Sequence, residues 1–171
     1  MSCILTTGFS HDCKDAVGGV DKIWLVEYEA LSSYTSASGE ITALTLNGGK
    51  AFFKYELPKD TASFTNTITP SVENGTVFNS TELNIKLRKL STAKRNEVKL
   101  LSVARLVAIV KTNENQYWAM GLQRGMDMTS GSSMTGTGLG DMTGFDLTFT
   151  HAEKEQPQIV QSAVLTSLSI S

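Results

Sequence analysis

Charge, histidine and cysteine are all scarce in this chain of 171 residues, and each shortage removes a class of function. Only 19% of the residues are charged and the formal net charge is -2, so the basic footprint needed to neutralise nucleic-acid phosphates is missing. DNA beside such a surface is not gripped. Two cysteines, Cys3 and Cys13, make no disulfide framework, and a chain this long can bury a core without a covalent staple or a structural metal. No apolar run reaches the length of a signal-peptide core or a membrane span. The expectation is a chain made in the cytoplasm, with no membrane partner.

Motifs for chemistry are equally thin. Cys3, His11 and Cys13 form the one grouping with metal-ligand residue types, but a structural zinc site takes four ligands in closely spaced pairs, and no fourth lies near. Reduced thiols and an exposed His11 are expected, with no metal. The glycines of 131–144 invite comparison with phosphate loops. Thr137 stands where a Walker motif needs lysine, and Gly136, Gly138 and Gly140 break the dinucleotide-binding spacing. No cofactor is expected.

The carboxylate pairs Glu27/Glu29 and Glu153/Glu155 lie two apart, which on a strand puts each pair on one face. Without a histidine or lysine of evident role they read as solvated strand faces. Asp127, Asp141 and Asp146 lack the spacing of a calcium loop, and no nucleophile elbow occurs. An enzyme is not expected.

What the chain does have is abundant Thr, Ser and Gly spread among short apolar runs, the pattern of a mainly β protein. Residues 1–20 read as an extended N-terminal arm. Residues 22–28 form a strand apolar enough to be covered on both faces, and 32–39 a polar connection. Residues 40–46 and 51–57 read as a hairpin around Asn47-Gly48-Gly49, with Phe53, Tyr55 and Leu57 on one face and Phe52, Lys54 and Glu56 on the other.

The organising feature is 61–90, a long hairpin. Its returning arm alternates Leu83, Ile85 and Leu87 with Asn84, Lys86 and Arg88, the period of a strand with one buried face. Its tip is Glu73-Asn74-Gly75. Alternation fails over 71–80, where only Val72, Val77 and Phe78 offer apolar surface, so the tip is expected to be an arm completed by another subunit.

A single flanking helix follows at 91–104, capped by Ser91 or Thr92, with Val98, Leu100, Leu101 and Val103 as its apolar stripe. Residues 105–111 and 117–123 make a hairpin, 125–144 a Gly/Ser/Thr/Met segment read as a flexible loop or irregular strands, and 145–150 and 159–170 two final strands. One domain over 1–171, a β-sandwich or barrel with one helix and a protruding hairpin, is the expected fold. The tip and 125–144, with Met126, Met128, Met134 and Met142, point to self-association, because adaptable Met/Gly segments are ordered cheaply by a neighbour. Val72, Glu73, Asn74, Gly75, Val77, Phe78, Met134 and Leu139 are the expected inter-subunit contacts.

The runs C-K-D-A-V-G-G-V-D-K-I-W-L at 13–25, E-I-T-A-L at 40–44, F-K-Y-E-L at 53–57, E-N-G-T at 73–76 and T-G-L-G-D-M-T-G-F-D-L-T-F-T at 137–150 together resemble tail-tube or neck-ring structural proteins of tailed bacteriophages of gut Bacteroidetes, including crAss-like phages. The resemblance implies a virion protein of the tail or neck, made in the host cytoplasm and assembled as a homo-oligomeric ring, sixfold or twelvefold. Portal, neck or tail proteins would be its neighbours, and DNA would pass through the lumen without specific binding. The alternative expectation is a carbohydrate- or surface-binding β-sandwich, for which Trp24 and Trp118 are the candidate stacking platforms, although their apolar neighbours favour core packing.

Overall fold

The structure is a computed structural model that describes residues 7–11, 13–168 and 170–171. In chain order it contains β1 (Val20–Glu27), a 3-10 turn (Tyr28–Ala30), β2 (Leu31–Ala37), β3 (Glu40–Leu46), β4 (Phe53–Glu56), β5 (Ser63–Ser71) and β6 (Thr76–Arg88). Then come α1 (Thr92–Leu101), β7 (Leu106–Thr112), β8 (Tyr117–Met120), β9 (Asp127–Met134), β10 (Gly144–Glu153), β11 (Gln158–Val160) and α2 (Ser162–Ser167). The protein is mainly β, in two sheets: a seven-stranded one ordered β2-β3-β11-β8-β7-β1-β4 and a four-stranded one ordered β5-β6-β10-β9. Among the described residues no helix is long and apolar enough to cross a membrane.

β1 and β7 lie inside the larger sheet and bury both faces, as expected for β1 from its apolar run. Ile23 and Leu25 with Leu106, Ala108 and Val110 join one cluster, which the smaller sheet completes through Leu83, Ile85, Phe145, Leu147 and Phe149. This is the space between the sheets. Trp24 and Val26 with Val107 and Ile109 face the other way, into a second cluster with Ile41, Leu44, Phe52 and Val164.

That second cluster requires a strongly coiled sheet. β3 and β4 are five strand spacings apart, about 24 Å if flat, yet only residues 47–52 connect them, and part of that link is a turn closed by Lys50 N–H on the Asn47 carbonyl at 3.1 Å. Phe52, 1% exposed, meets Ile41 and Leu44 because the sheet curls around it. α2 packs into the open side of the curl through Val164. No closed barrel forms among the described residues.

Several sequence expectations are corrected here. β4 pairs with β1, not with β3, so 40–46 and 51–57 are not a hairpin: the sheet's coil brings β4 round to the far edge. Of the two faces, Phe52 is buried in the second cluster and Tyr55 and Leu57 pack on the first, while Phe53 is 54% exposed. The polar connection at 32–39 is largely strand, β2, joined to β3 through Ser38 and Gly39, both at positive φ (54° and 84°). As a mostly exposed edge strand it shows no alternation to read. The expected strand over 159–170 is a three-residue β11 followed by α2, with Ile170 returning to bridge Phe52. Among the described residues two α-helices are therefore present where one was expected.

α1 is capped by Ser91, whose hydroxyl accepts from Lys94 N–H at 3.3 Å. Of its predicted stripe, Leu101 is buried and Val98 packs beside it, while Leu100 and Val103 are 65% and 84% exposed. Tyr55 on β4 donates to Glu97 Oε1 at 2.5 Å, tying the helix to that strand. Burial, reinforced by Glu97, pushes the phenol well above its ordinary range.

Candidate functional site: an arm and a polar cleft at its root

The hairpin of β5 and β6 runs in register from Ser63↔Asn84 to Ser71↔Thr76. β10 covers β6 only from Arg88 to Asn79. Beyond Asn79 the two strands stand alone, projecting roughly 10–14 Å at the usual rise per residue. The turn is the four residues 72–75, with Gly75 alone at positive φ (60°), so it is a longer loop than a two-residue Asn-Gly turn.

The reason the arm leaves the core is visible along one face. Partners Phe64↔Leu83 and Leu83↔Phe149 fill the inter-sheet space. One step further the same face carries Asn66, Thr81 and His151, and the next brings Asn79 and Glu153. These polar side chains close the end of the core. Thr81 donates to Asn66 Oδ1 at 3.0 Å, and Asn79 donates to the Lys154 carbonyl at 2.8 Å. Past this plug the face turns apolar again, at Ile68 and Val77, 52% and 57% exposed. Val72 at the turn is 97% exposed, and Phe78 on the opposite face 44%.

Of the expected contact residues, Val72, Glu73, Asn74, Gly75, Val77 and Phe78 are thus all exposed on the arm. Met134 and Leu139 are elsewhere. Gly144 pairs with both Arg88 and Met134, which puts the β9–β10 loop at the far end of the smaller sheet, about 30 Å along β6 from the arm's root.

The Gly/Ser/Thr/Met segment is more regular than expected: its first half is the edge strand β9, in register with β10. Its second half is a self-held loop. Thr137 N–H and Gly138 N–H both donate to Asp141 Oδ2 at 2.7 Å, and these two bonds, Gly138 first, hold the Asp141 carboxyl below its ordinary range. Gly136, at φ 70°, passes so close that a Cβ there would lie 2.3 Å from that of Asp141. Leu139 stands fully exposed on the loop.

A second group of residues was not foreseen. The period that identifies Phe145, Leu147 and Phe149 runs on to His151 and Glu153, so the signal was in the sequence, but 153 and 155 were paired instead as a solvated face. Glu153 is 6% exposed, whereas Glu155 lies beyond β10 and is exposed. Glu153 Oε1 accepts from Gln123 N–H at 2.9 Å and Arg124 N–H at 2.8 Å, holding the turn 121–125, which Gly125 N–H closes on the Gly121 carbonyl at 3.1 Å. Its other oxygen is 3.7 Å from His151 Nδ1. Burial lowers the His151 pKa below 6.5, with the Glu153 charge opposing.

Beside this pair, where β9 leaves β10 and Met126 crosses to bridge Leu106, a cleft of about 340 Å³ opens. Tyr28, Arg105, Arg124, Asp127 and His151 line it. Tyr28 donates to the Gln123 carbonyl at 2.6 Å, and the Arg105 guanidinium lies 5.1 Å above its ring.

The remaining candidates are scattered. Glu29 sits in the 3-10 turn rather than on a strand with Glu27, and Glu27 pairs with Lys50 at 2.8 Å. Asp127 begins β9, Asp141 is held in the β9–β10 loop, and Asp146 on β10 lies 3.4 Å from Lys86. Among the described residues no three His, Cys, Asp or Glu side chains lie together as metal ligands. Cys13 and His11 are exposed, and Cys3 lies outside the described residues. Trp24 is 8% exposed, in the second cluster, and Trp118 packs on the first, its ring 6.0 Å from that of Phe64. Trp24 is thus buried and Trp118 half-buried. No family model, curated protein or solved structure matches the chain.

Proposed function

We propose that this protein is a non-enzymatic building block of a tailed-phage virion, forming a homo-oligomeric ring or tube in the tail or neck through which DNA passes. The observation that carries the reading is the uncovered arm. It keeps Ile68, Val72, Val77 and Phe78 in water, and covering such side chains stabilises a contact by about 1–2 kcal/mol each at these exposures. The β9–β10 loop with Leu139 and Met134 is at the opposite end of the same sheet, and contact surfaces at opposite ends suit head-to-tail association, which closes into rings or extends into tubes. A net charge of -2 suits a wall that conducts DNA without holding it.

The sequence resemblance to tail-tube and neck-ring proteins agrees with this reading and supplies the neighbours: portal, neck or other tail proteins. Size-exclusion chromatography with light scattering, and negative-stain microscopy at high concentration, test it. Rings or short tubes are expected, alone or with virion partners added. A chain that stays monomeric under all of these conditions refutes the proposal.

A further inference from the structure

The cleft between the 121–125 turn and the end of β10 contains more unused hydrogen-bonding capacity than its surroundings explain. The His151 side chain is 1% exposed, and neither ring nitrogen has a hydrogen-bond partner. A buried imidazole without protein partners stands to gain about 1–3 kcal/mol for each group that meets it, so a ligand that reaches the ring is held by it.

Two arginines line the same cleft. Arg124 makes one long side-chain contact, 3.5 Å to the Ala152 carbonyl. Arg105 faces Glu29, itself 87% exposed, at 4.0 Å. Each guanidinium has five donors in a planar fork, so most of them are unspent. Around His151 the charged groups are Glu153 on its own strand, Arg124 and Asp127 on the turn and β9, and Arg105 with Glu29 near the 3-10 turn. Glu153 is already engaged by two backbone N–H groups, so the charged side chains left along the cleft are Arg105, Arg124 and one carboxylate, Asp127, with the buried imidazole behind them.

We propose that this cleft binds a small oxyanion, a phosphoryl or carboxylate group, held by Arg105 and Arg124 and by a ring N–H of His151. A planar guanidinium fork matches either group bidentately. The bound anion and Glu153 would then flank the imidazole from two sides and favour its cationic form, so binding tightens as pH falls. This site stands independently of whether the arm assembles.

With two histidines in the chain, a ring-carbon NMR spectrum of histidine-labelled protein contains two sets of signals, and His11→Gln assigns them. Inorganic phosphate, sulfate and acetate are titrated separately at constant ionic strength. The expected result is a saturable shift of the His151 signals, with its titration midpoint moved upward by the bound anion. Sulfate, whose charge is fixed in this range, separates that movement from phosphate's own titration. The tighter of phosphate and acetate names the ligand group.

Arg105→Gln and Arg124→Gln, both exposed positions, should each weaken binding about tenfold, the effect of one charge-assisted bond. No saturable shift with any of the three anions overturns the proposal. So does a shift of equal affinity in the variant with both arginines replaced.

Discussion

Shortening the arm separates its role in folding from its role in contact. Thr69 and Phe78 face each other across the hairpin, so replacing 70–77 with Asn-Gly closes the ladder through a two-residue turn without changing register. The ladder pairs lost are Pro70↔Val77 and Ser71↔Thr76. Cross-strand pairs contribute about 0.2–1 kcal/mol each, and no residue over 72–78 is buried. The fold should lose at most about 2 kcal/mol, and for a chain of this size a thermal midpoint falls by about 2–4 °C per kcal/mol. Calorimetry should therefore find a drop of less than about 8 °C. Contact between subunits should suffer far more. Removing Val72 and Val77 takes away about 3 kcal/mol of coverable apolar surface, more than a hundredfold in association, so light scattering and microscopy should find no rings or tubes. A drop in midpoint of about 15 °C or more would mean that the tip belongs to the core. Assembly unchanged from the intact chain would refute the contact reading.

Further outcomes follow from the packing at Glu153, His151 and Gly144. Glu153→Ala strands the Gln123 and Arg124 N–H groups and should cost about 3 kcal/mol, seen as a lower thermal midpoint, whereas Glu153→Gln keeps an acceptor and should cost less. His151 has its folded pKa below 6.5 because it is buried, so the unfolded chain binds the proton first: stability should be full above about 6.5 and decline as pH falls towards the folded value. Thermal midpoints measured across that window should fall in the wild type, and His151→Gln should remove this component. Gly144→Ala puts a Cβ 2.0 Å from the Leu87 carbonyl oxygen, backbone that β10 and β6 hold between them, and should cost about 3 kcal/mol in denaturant melts.

The sequence reads well where one face of a strand is buried. Leu83, Ile85 and Leu87, and Phe145, Leu147 and Phe149, alternate because water lies on one side of each strand, and they were placed correctly. It reads poorly at edges and ends. β2 is mostly exposed on both sides, so nothing selects a period, and α2 is a single short helix whose Val164 and Leu165 pass equally well for strand residues. His151 and Glu153 continue a legible period, yet a buried histidine and carboxylate look like surface residues until Gln123 and Arg124 are seen bonding to one of them. The arm was legible for the opposite reason: the loss of alternation over 71–80 marks where the core stops.

Local patterning by itself determined that the chain is mainly β, where most strands run, that a helix starts at Ser91 or Thr92, and that the central hairpin is longer than its apolar face. Each of those depends on residues close in sequence. Which strands become neighbours was decided only in three dimensions: β4 joins β1 because the larger sheet coils until Phe52 meets Ile41 and Leu44, and the turn at 121–125 meets Glu153 from thirty residues away. Contacts of that kind depend on how the whole surface is buried, and no short window of sequence contains them.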